Sequence, residues 1–141
     1  TELLADRVEF FKRLSEAFGP SGFEVEVTRL VREEYGQYAD QILYDGLGSI
    51  ILKKGGGAED GPRVLLAGHM DEVGFIVKGI TEGGYLAFQT LGGWVTTTLP
   101  AHRVVVRSKK GDHVGVLVSK PPHLLPPEER KKAPDVKDLY I

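Results

Sequence analysis

The chain has 141 residues, of which 41% are hydrophobic and 27% charged, with a net charge of −2. These values exclude a disordered or fibrous polypeptide, and the charge offers no basic field for nucleic acid or an anionic membrane surface. There is no cysteine, which excludes a disulfide framework and a thiolate metal site, leaves His, Asp and Glu as the candidate metal ligands, and fits a reducing cytoplasm.

In chain order, Leu3, Leu4, Val8, Phe11, Leu14 and Phe18 form one apolar stripe, which predicts a helix over residues 2–18. Acidic residues interrupt this stretch and no small-residue cleavage site follows, so it is not a signal peptide. No apolar run approaches the ~20 residues needed to span a bilayer. Gly19-Pro20 stops the helix. A second helix opens at Ser21-Gly22-Phe23-Glu24. There Ser21 is expected to cap the N-terminus while Glu24 reaches back, as in a capping box. Its buried face is predicted to be Phe23, Val27, Leu30, Val31, Tyr35 and Tyr38, with Gly36 weakening the last turn.

The period then changes. Ile42–Tyr44 and Ser49–Leu52, joined by a glycine-bearing turn, read as two strands. Residues 53–62 read as a surface loop. Arg63–Ala67 is a short apolar run that suits a strand buried on both faces. The first 71 residues therefore read as helices on a sheet, one end of an α/β sandwich. From Val73 onward the character is β, and the break at about residue 72 reads as a domain boundary. Phe75–Ile80 and Tyr85–Phe88 flank a hairpin turn, and Arg103–Val106 and Val114–Val118 flank a second turn at residues 108–113. Residues 119–134 are rich in proline and charge and read as an exposed loop, with a helical turn expected at PEERKK. The chain ends on the strand-like DVKDLYI, and its 18 glycines crowd into loops between short strands. Both features lead us to expect a portion of a longer protein.

Chemistry concentrates in VLLAGHMDEVGF, residues 64–75. On a strand, residues two apart share a side, so His69 and Asp71 would face together while Met70 points back into the structure. Three readings fit this pattern. Both residues ligate a metal; or His69 ligates through one ring nitrogen while Asp71 holds the other; or the two form a surface hydrogen-bonded pair. Glu72 points the other way and reads as structural. A catalytic zinc needs at least three protein ligands. His102, His113 and His123 lie in the β half without ligand-like helical spacing, so these residues alone do not assemble a complete site. Trp94 reads as a packing residue, and His123 as a solvated loop residue.

Several stretches together resemble the M42 family of metallo-aminopeptidases, the glutamyl aminopeptidase and tetrahedral (TET) peptidase group. They are PSGFEVEV (20–27), YDGLGSII (44–51), LLAGHMDEVGFIV (65–77), LGGW (91–94) and GVLVSKPPHLLPPEERKKAPDVKDLYI (115–141). Val95–Pro100 departs from the acid or proline usual after LGGW, a local loop variation. The resemblance implies an α/β catalytic domain interrupted by an inserted β-barrel or PDZ-like dimerisation domain, incomplete here at the C-terminus. On that reading, 1–71 is catalytic segment and 72–141 inserted domain. It also implies two divalent metal ions, zinc or cobalt, in the full-length enzyme. His69 matches a metal ligand. Asp71 matches the catalytic-site acid that orients this histidine. The bridging acid, the general base and the remaining ligands lie downstream in the family, so residues 1–141 alone are expected to be inactive. Implied partners are peptide substrates and further copies of the chain, as dimers and a dodecamer, in the cytoplasm. Two alternatives are a non-catalytic assembly module and a glycan hydrolase, since family members have been described as endoglucanases.

Overall fold

Helix α1 spans Glu2–Glu16. It ends where the Ser15 hydroxyl turns back onto the carbonyls of Phe11 and Lys12, at 3.0 and 3.1 Å. The computed structural model describes residues 2–58, 60–128 and 131–141, the side chains of Glu2, Leu3 and Pro122 excepted. Two units make up the chain, Thr1–Glu72 and Val73–Ile141. Among the described residues no helix is long and apolar enough to cross a membrane.

In the first unit, α1 meets helix α2 (Val25–Tyr35) through Phe10, whose ring meets Tyr35 edge-on at 5.5 Å between centroids. Leu4, Val8 and Phe11 of the predicted stripe stay exposed. On α2 only Val27 and Leu30 are buried. Phe23, Tyr35 and Tyr38, expected on the same buried face, are exposed. That hairpin pairs β1 (Gln41–Tyr44) antiparallel with β2 (Ile50–Lys53), in register from Gln41↔Lys53 to Tyr44↔Ile50.

Two expectations for this unit are corrected. The segment 63–67 is not a buried strand: Val64, Leu65 and Leu66 are 80%, 85% and 92% exposed. A strand is buried by neighbours that pair with its edges and cover its faces, and among the described residues none pairs with this segment. The cap of α2 is also different. Its N-cap is Glu24, which makes no side-chain cap bond. Ser21 lies too far upstream to reach the first turn. The Glu24 carboxylate does reach back, but it accepts from the Gly22 N–H at 2.7 Å.

The second unit is built from antiparallel pairs. Strands β3 (Gly74–Ile80) and β4 (Leu86–Leu91) form a hairpin with an irregularity at Val77/Gly79. Strands β5 (Arg103–Ser108) and β6 (Gly111–Val116) form another. The turn of this second hairpin is tighter than expected, because Arg107 and Asp112 pair through two contacts of 2.8 Å and extend the ladder to Ser108↔Gly111. The expected strand 114–118 is split. Strand β6 stops at Val116, and β7 (Val118–Ser119) joins β8 (Leu139–Tyr140) in a sheet ordered β3-β4-β8-β7. Leu117 marks the switch. Its N–H donates to the His102 carbonyl at 2.9 Å and its carbonyl accepts from the Ala101 N–H at 2.8 Å. Its side chain enters the core with Phe88, Leu99 and Leu139. Phe75 lies edge-on to Phe88 and stacks on Trp94, both at 4.8 Å. The Trp94 indole N–H donates to the Gly74 and Leu91 carbonyls, so the packing role read from the sequence is the one it has. A short 3₁₀ turn occupies Pro122–Leu124. Of the helical turn expected at PEERKK, Glu129 and Arg130 lie outside the described residues.

Leu117→Ala is expected to destabilise this unit by about 2–5 kcal/mol, because the side chain is fully buried where the strand changes sheets. Val114→Ala, at an exposed position of β6, is expected to cost under about 0.5 kcal/mol. Urea unfolding of both variants measures the contrast.

Candidate functional site

The residues around His69 are held in place from fifty positions upstream. Gly19 and Glu72 bond reciprocally: the Glu72 N–H donates to the Gly19 carbonyl at 2.9 Å, and the Gly19 N–H donates to the Glu72 carboxylate at 3.2 Å. Pro20 and Glu72 form an isolated parallel bridge. Gly19 is required by close approach, since a Cβ there would lie 2.7 Å from Val27 Cγ2 on α2. The turn then passes through Gly22 at φ +87, a conformation that suits glycine. Between these two glycines sits Ser21, whose hydroxyl donates to Asp71 Oδ2 at 2.5 Å.

Asp71 in turn faces His69. His69 Nδ1 lies 3.2 Å from Asp71 Oδ1 and 3.0 Å from the Asp71 carbonyl oxygen. Both neighbours are acceptors, so Nδ1 must carry the proton. In the neutral ring the lone pair then sits on Nε2. The His69 side chain is 85% exposed, which leaves that edge of the ring accessible. The Ser21 hydroxyl is the main cause holding the Asp71 carboxyl below its usual range; burial works against it, and Asp71's own N–H and His69 add to the lowering. Met70 turns the other way, with its sulfur 3.9 Å from the Thr28 hydroxyl on α2. Glu72 faces Gly19, as its structural reading requires.

These residues border a cleft of about 430 Å³, lined by Gly68–Asp71 on one side and by Leu47–Ile50 on another. The opposite wall is shaped by Asp45. Its Oδ1 accepts from the N–H groups of Leu47 and Ser49, both at 2.8 Å, and its Oδ2 accepts the Ser49 hydroxyl at 2.6 Å. This is an Asx-type turn that fixes the β1–β2 loop and leaves Leu47 94% exposed at the rim.

The structure thus brings His69 and Asp71 together as the i, i+2 spacing predicted. The sequence reading missed Ser21 and Gly19 as parts of the site. The signal was present in PSGFE, but a serine three residues before a glutamate reads as a helix cap. Of the remaining histidines, His113 places Nε2 3.1 Å from the Ser108 hydroxyl in the β5–β6 hairpin, and His123 is exposed in its 3₁₀ turn.

The donor chemistry fits a metal ion at one corner. A neutral imidazole with Nδ1–H held by a carboxylate and Nε2 open is the arrangement that metal-ligating histidines adopt. No cluster of three or more His, Cys, Asp or Glu converges among the described residues. His69 would therefore be one member of a ligand set, not the whole of it.

The chain matches the M42 glutamyl aminopeptidase family over residues 48–141, and it belongs to that family. It is 52% identical to the TET aminopeptidase of Thaumarchaeota archaeon SCGC AB-539-E09, with a TM-score of 0.87 over 94% of this chain and 37% of that one. It is 34% identical to the Pyrococcus horikoshii TET1 peptidase, which can assemble into a tetrahedron or a large octahedral shell. There the TM-score is 0.78 over 94% of this chain and 39% of that one. It is 36% identical to the glutamyl aminopeptidase of Lactococcus lactis subsp. cremoris (strain MG1363), over 81% of this chain and 32% of the relative. The chain spans between 32% and 39% of the length of these relatives.

Asp45 gives the cleft wall a pH signature. Hydrogen bonds from the Ser49 hydroxyl, the Ser49 N–H and the Leu47 N–H hold its carboxyl below the ordinary 3.8. A carboxyl depressed in the folded state stabilises above its unfolded pKa, and the gain is lost as pH falls through the folded pKa. Asp45→Asn is therefore expected to lower stability at neutral pH and to converge on the parent protein as the pH falls through the depressed folded pKa. Thermal unfolding followed from pH 7 to pH 2 reads the convergence.

Proposed function

We propose that this chain is part of a metal-dependent aminopeptidase that releases N-terminal residues from peptides. The observation that carries the proposal is the oriented pair at the cleft: His69 with Nδ1 pinned by Asp71 and Nε2 open, in a chain of the M42 family. In this reading residues 1–71 are a segment of the catalytic α/β domain. Residues 72–141 are an inserted β-barrel or PDZ-like domain used for dimerisation.

His69 would hold one of two divalent ions, zinc or cobalt, through Nε2. Asp71 keeps the proton on Nδ1 and fixes the ring plane, acting as a positioning acid. The ions, when bound, supply Lewis-acid polarisation of the scissile carbonyl and a water of lowered pKa. The other ligands and the general base come from the remainder of the longer protein, since this chain spans about a third of its relatives. A free α-amino group on the substrate restricts cleavage to the first peptide bond.

Self-association into dimers and a dodecamer is supported by the likeness to the Pyrococcus horikoshii TET1 peptidase, which can assemble into a tetrahedron or a large octahedral shell. The β5–β6 hairpin also leaves Val105, Val114 and Val116 exposed on one face. The proposed enzyme works in the cytoplasm, consistent with a chain free of cysteine. A glycan hydrolase would need two facing carboxylates. At this cleft Asp71 faces His69 and Ser21, and Glu24 is bonded to the Gly22 N–H. That arrangement favours metal hydrolysis.

The full-length protein, loaded with zinc or cobalt, is expected to hydrolyse peptides with a free N-terminus and to leave N-acetylated ones intact. A chelator should abolish turnover and added metal should restore it. His69→Ala should lower kcat/KM by more than ~100-fold without dissociating the assembly. Chelator-insensitive turnover, or turnover of β-glucan instead of peptide, would overturn the proposal. An assembled protein without activity would leave only the assembly role.

A further inference from the structure

We infer that Ser21 is a positioning residue for the metal-binding histidine, acting through Asp71. The inference rests on the metal reading of His69 and extends it to a residue on a different segment of the chain. Its basis is a continuous chain of contacts: Ser21 Oγ to Asp71 Oδ2 at 2.5 Å, then Asp71 Oδ1 to His69 Nδ1 at 3.2 Å. The two carboxylate oxygens are divided between the two partners. The Ser21 hydroxyl has one proton, and this geometry gives it to the carboxylate. Helix α2 receives no side-chain cap, so Ser21 has no competing duty there.

A carboxylate held at one oxygen turns about its Cβ–Cγ bond, because that torsion is broad and nearly two-fold. Held at both, it presents a fixed oxygen to the imidazole. Ser21 therefore sets the angle of Asp71, and Asp71 sets the tautomer and plane of His69. The backbone around Ser21 suits this task. Gly19 packs against α2 and bonds to Glu72, Pro20 bridges Glu72, and Gly22 takes a positive φ. Together these place the hydroxyl opposite residue 71. An O–H donor at Oδ2 leaves Oδ1 to accept from Nδ1–H, which keeps the Nε2 lone pair outward.

The test uses the full-length protein and three variants, Ser21→Ala, Ser21→Cys and Ser21→Thr. Zinc affinity is measured by competition with a chromophoric chelator, and the unfolding midpoint is measured on the metal-free protein. Ser21→Ala is expected to weaken zinc binding roughly 10-fold, with the metal-free midpoint still well above the assay temperature. Ser21→Thr, which restores the hydroxyl, is expected to recover affinity to within ~3-fold of the parent protein. Ser21→Cys keeps the volume with a weaker donor, so it should fall on the side of alanine; it carries the test if alanine does not fold. Parent-like zinc affinity in the alanine or cysteine variant would overturn the role of Ser21 alone, provided the parent binds zinc and His69→Ala does not. A parent protein that binds no zinc would overturn the metal reading and this inference with it. Weakened affinity in the threonine variant equal to that of alanine would also overturn it, because loop packing and not the hydroxyl would then be responsible.

Discussion

The candidate site depends on one tether, the bonding of residues 19–21 to residues 71 and 72. The segment leading into His69 receives no strand pairing among the described residues, and Val64–Leu66 lie exposed. Left to itself such a segment would have no fixed place. The reciprocal Gly19–Glu72 bonds and the Ser21–Asp71 bond supply that place. Each is modest, since a hydrogen bond contributes about 0.5–1.5 kcal/mol net, or ~1.5–3 kcal/mol where a carboxylate accepts. Their effect comes from position. Three contacts across some fifty residues of intervening chain close a large loop and fix His69 relative to α2.

The two halves of this tether were unequally legible in the sequence. His69 and Asp71 meet as their spacing of two implies, although the ladder expected to carry them is missing. The spacing needs only a locally extended chain, so the pair forms without strand pairing among the described residues. Ser21 was misread for an instructive reason. A sequence pattern reports bonds between near neighbours, and S-x-x-E is a strong local signal for a capped helix. The partner that wins is fifty residues away and ionised: its carboxylate accepts the hydroxyl proton, whereas a cap would have the serine oxygen accept from a helix N–H. The fold of the chain back onto that partner is not written in any local pattern.

The same limit explains the other departures. The run Arg63–Ala67 has the composition of a buried strand, but burial is a property of neighbours, and an apolar run does not say which neighbours exist. Val114–Val118 reads as one strand because every residue but Gly115 is apolar. The structure breaks it at Leu117, where the side chain gains more by entering the core beside Phe88, Leu99 and Leu139 than by continuing an exposed ladder. Where local and long-range demands agree, the reading holds. The β1–β2 and β3–β4 hairpins sit where their turn residues put them. Trp94 packs as an aromatic among aromatics with its N–H satisfied, as a half-buried indole must.

The arrangement at His69 also bears on how the ring would meet an ion in the proposed enzyme. An exposed imidazole is flexible, and ordering it at the moment of binding costs side-chain entropy, about 0.5–1.5 kcal/mol for a group of this kind. Contacts to Nδ1 from the Asp71 carboxylate and carbonyl, with Ser21 behind the carboxylate, move that ordering from the binding step to folding. The ring edge that would meet the proposed ion stays open, and the other edge is already occupied by a proton held between two acceptors. Within these residues the support for His69 is drawn from the turn before α2.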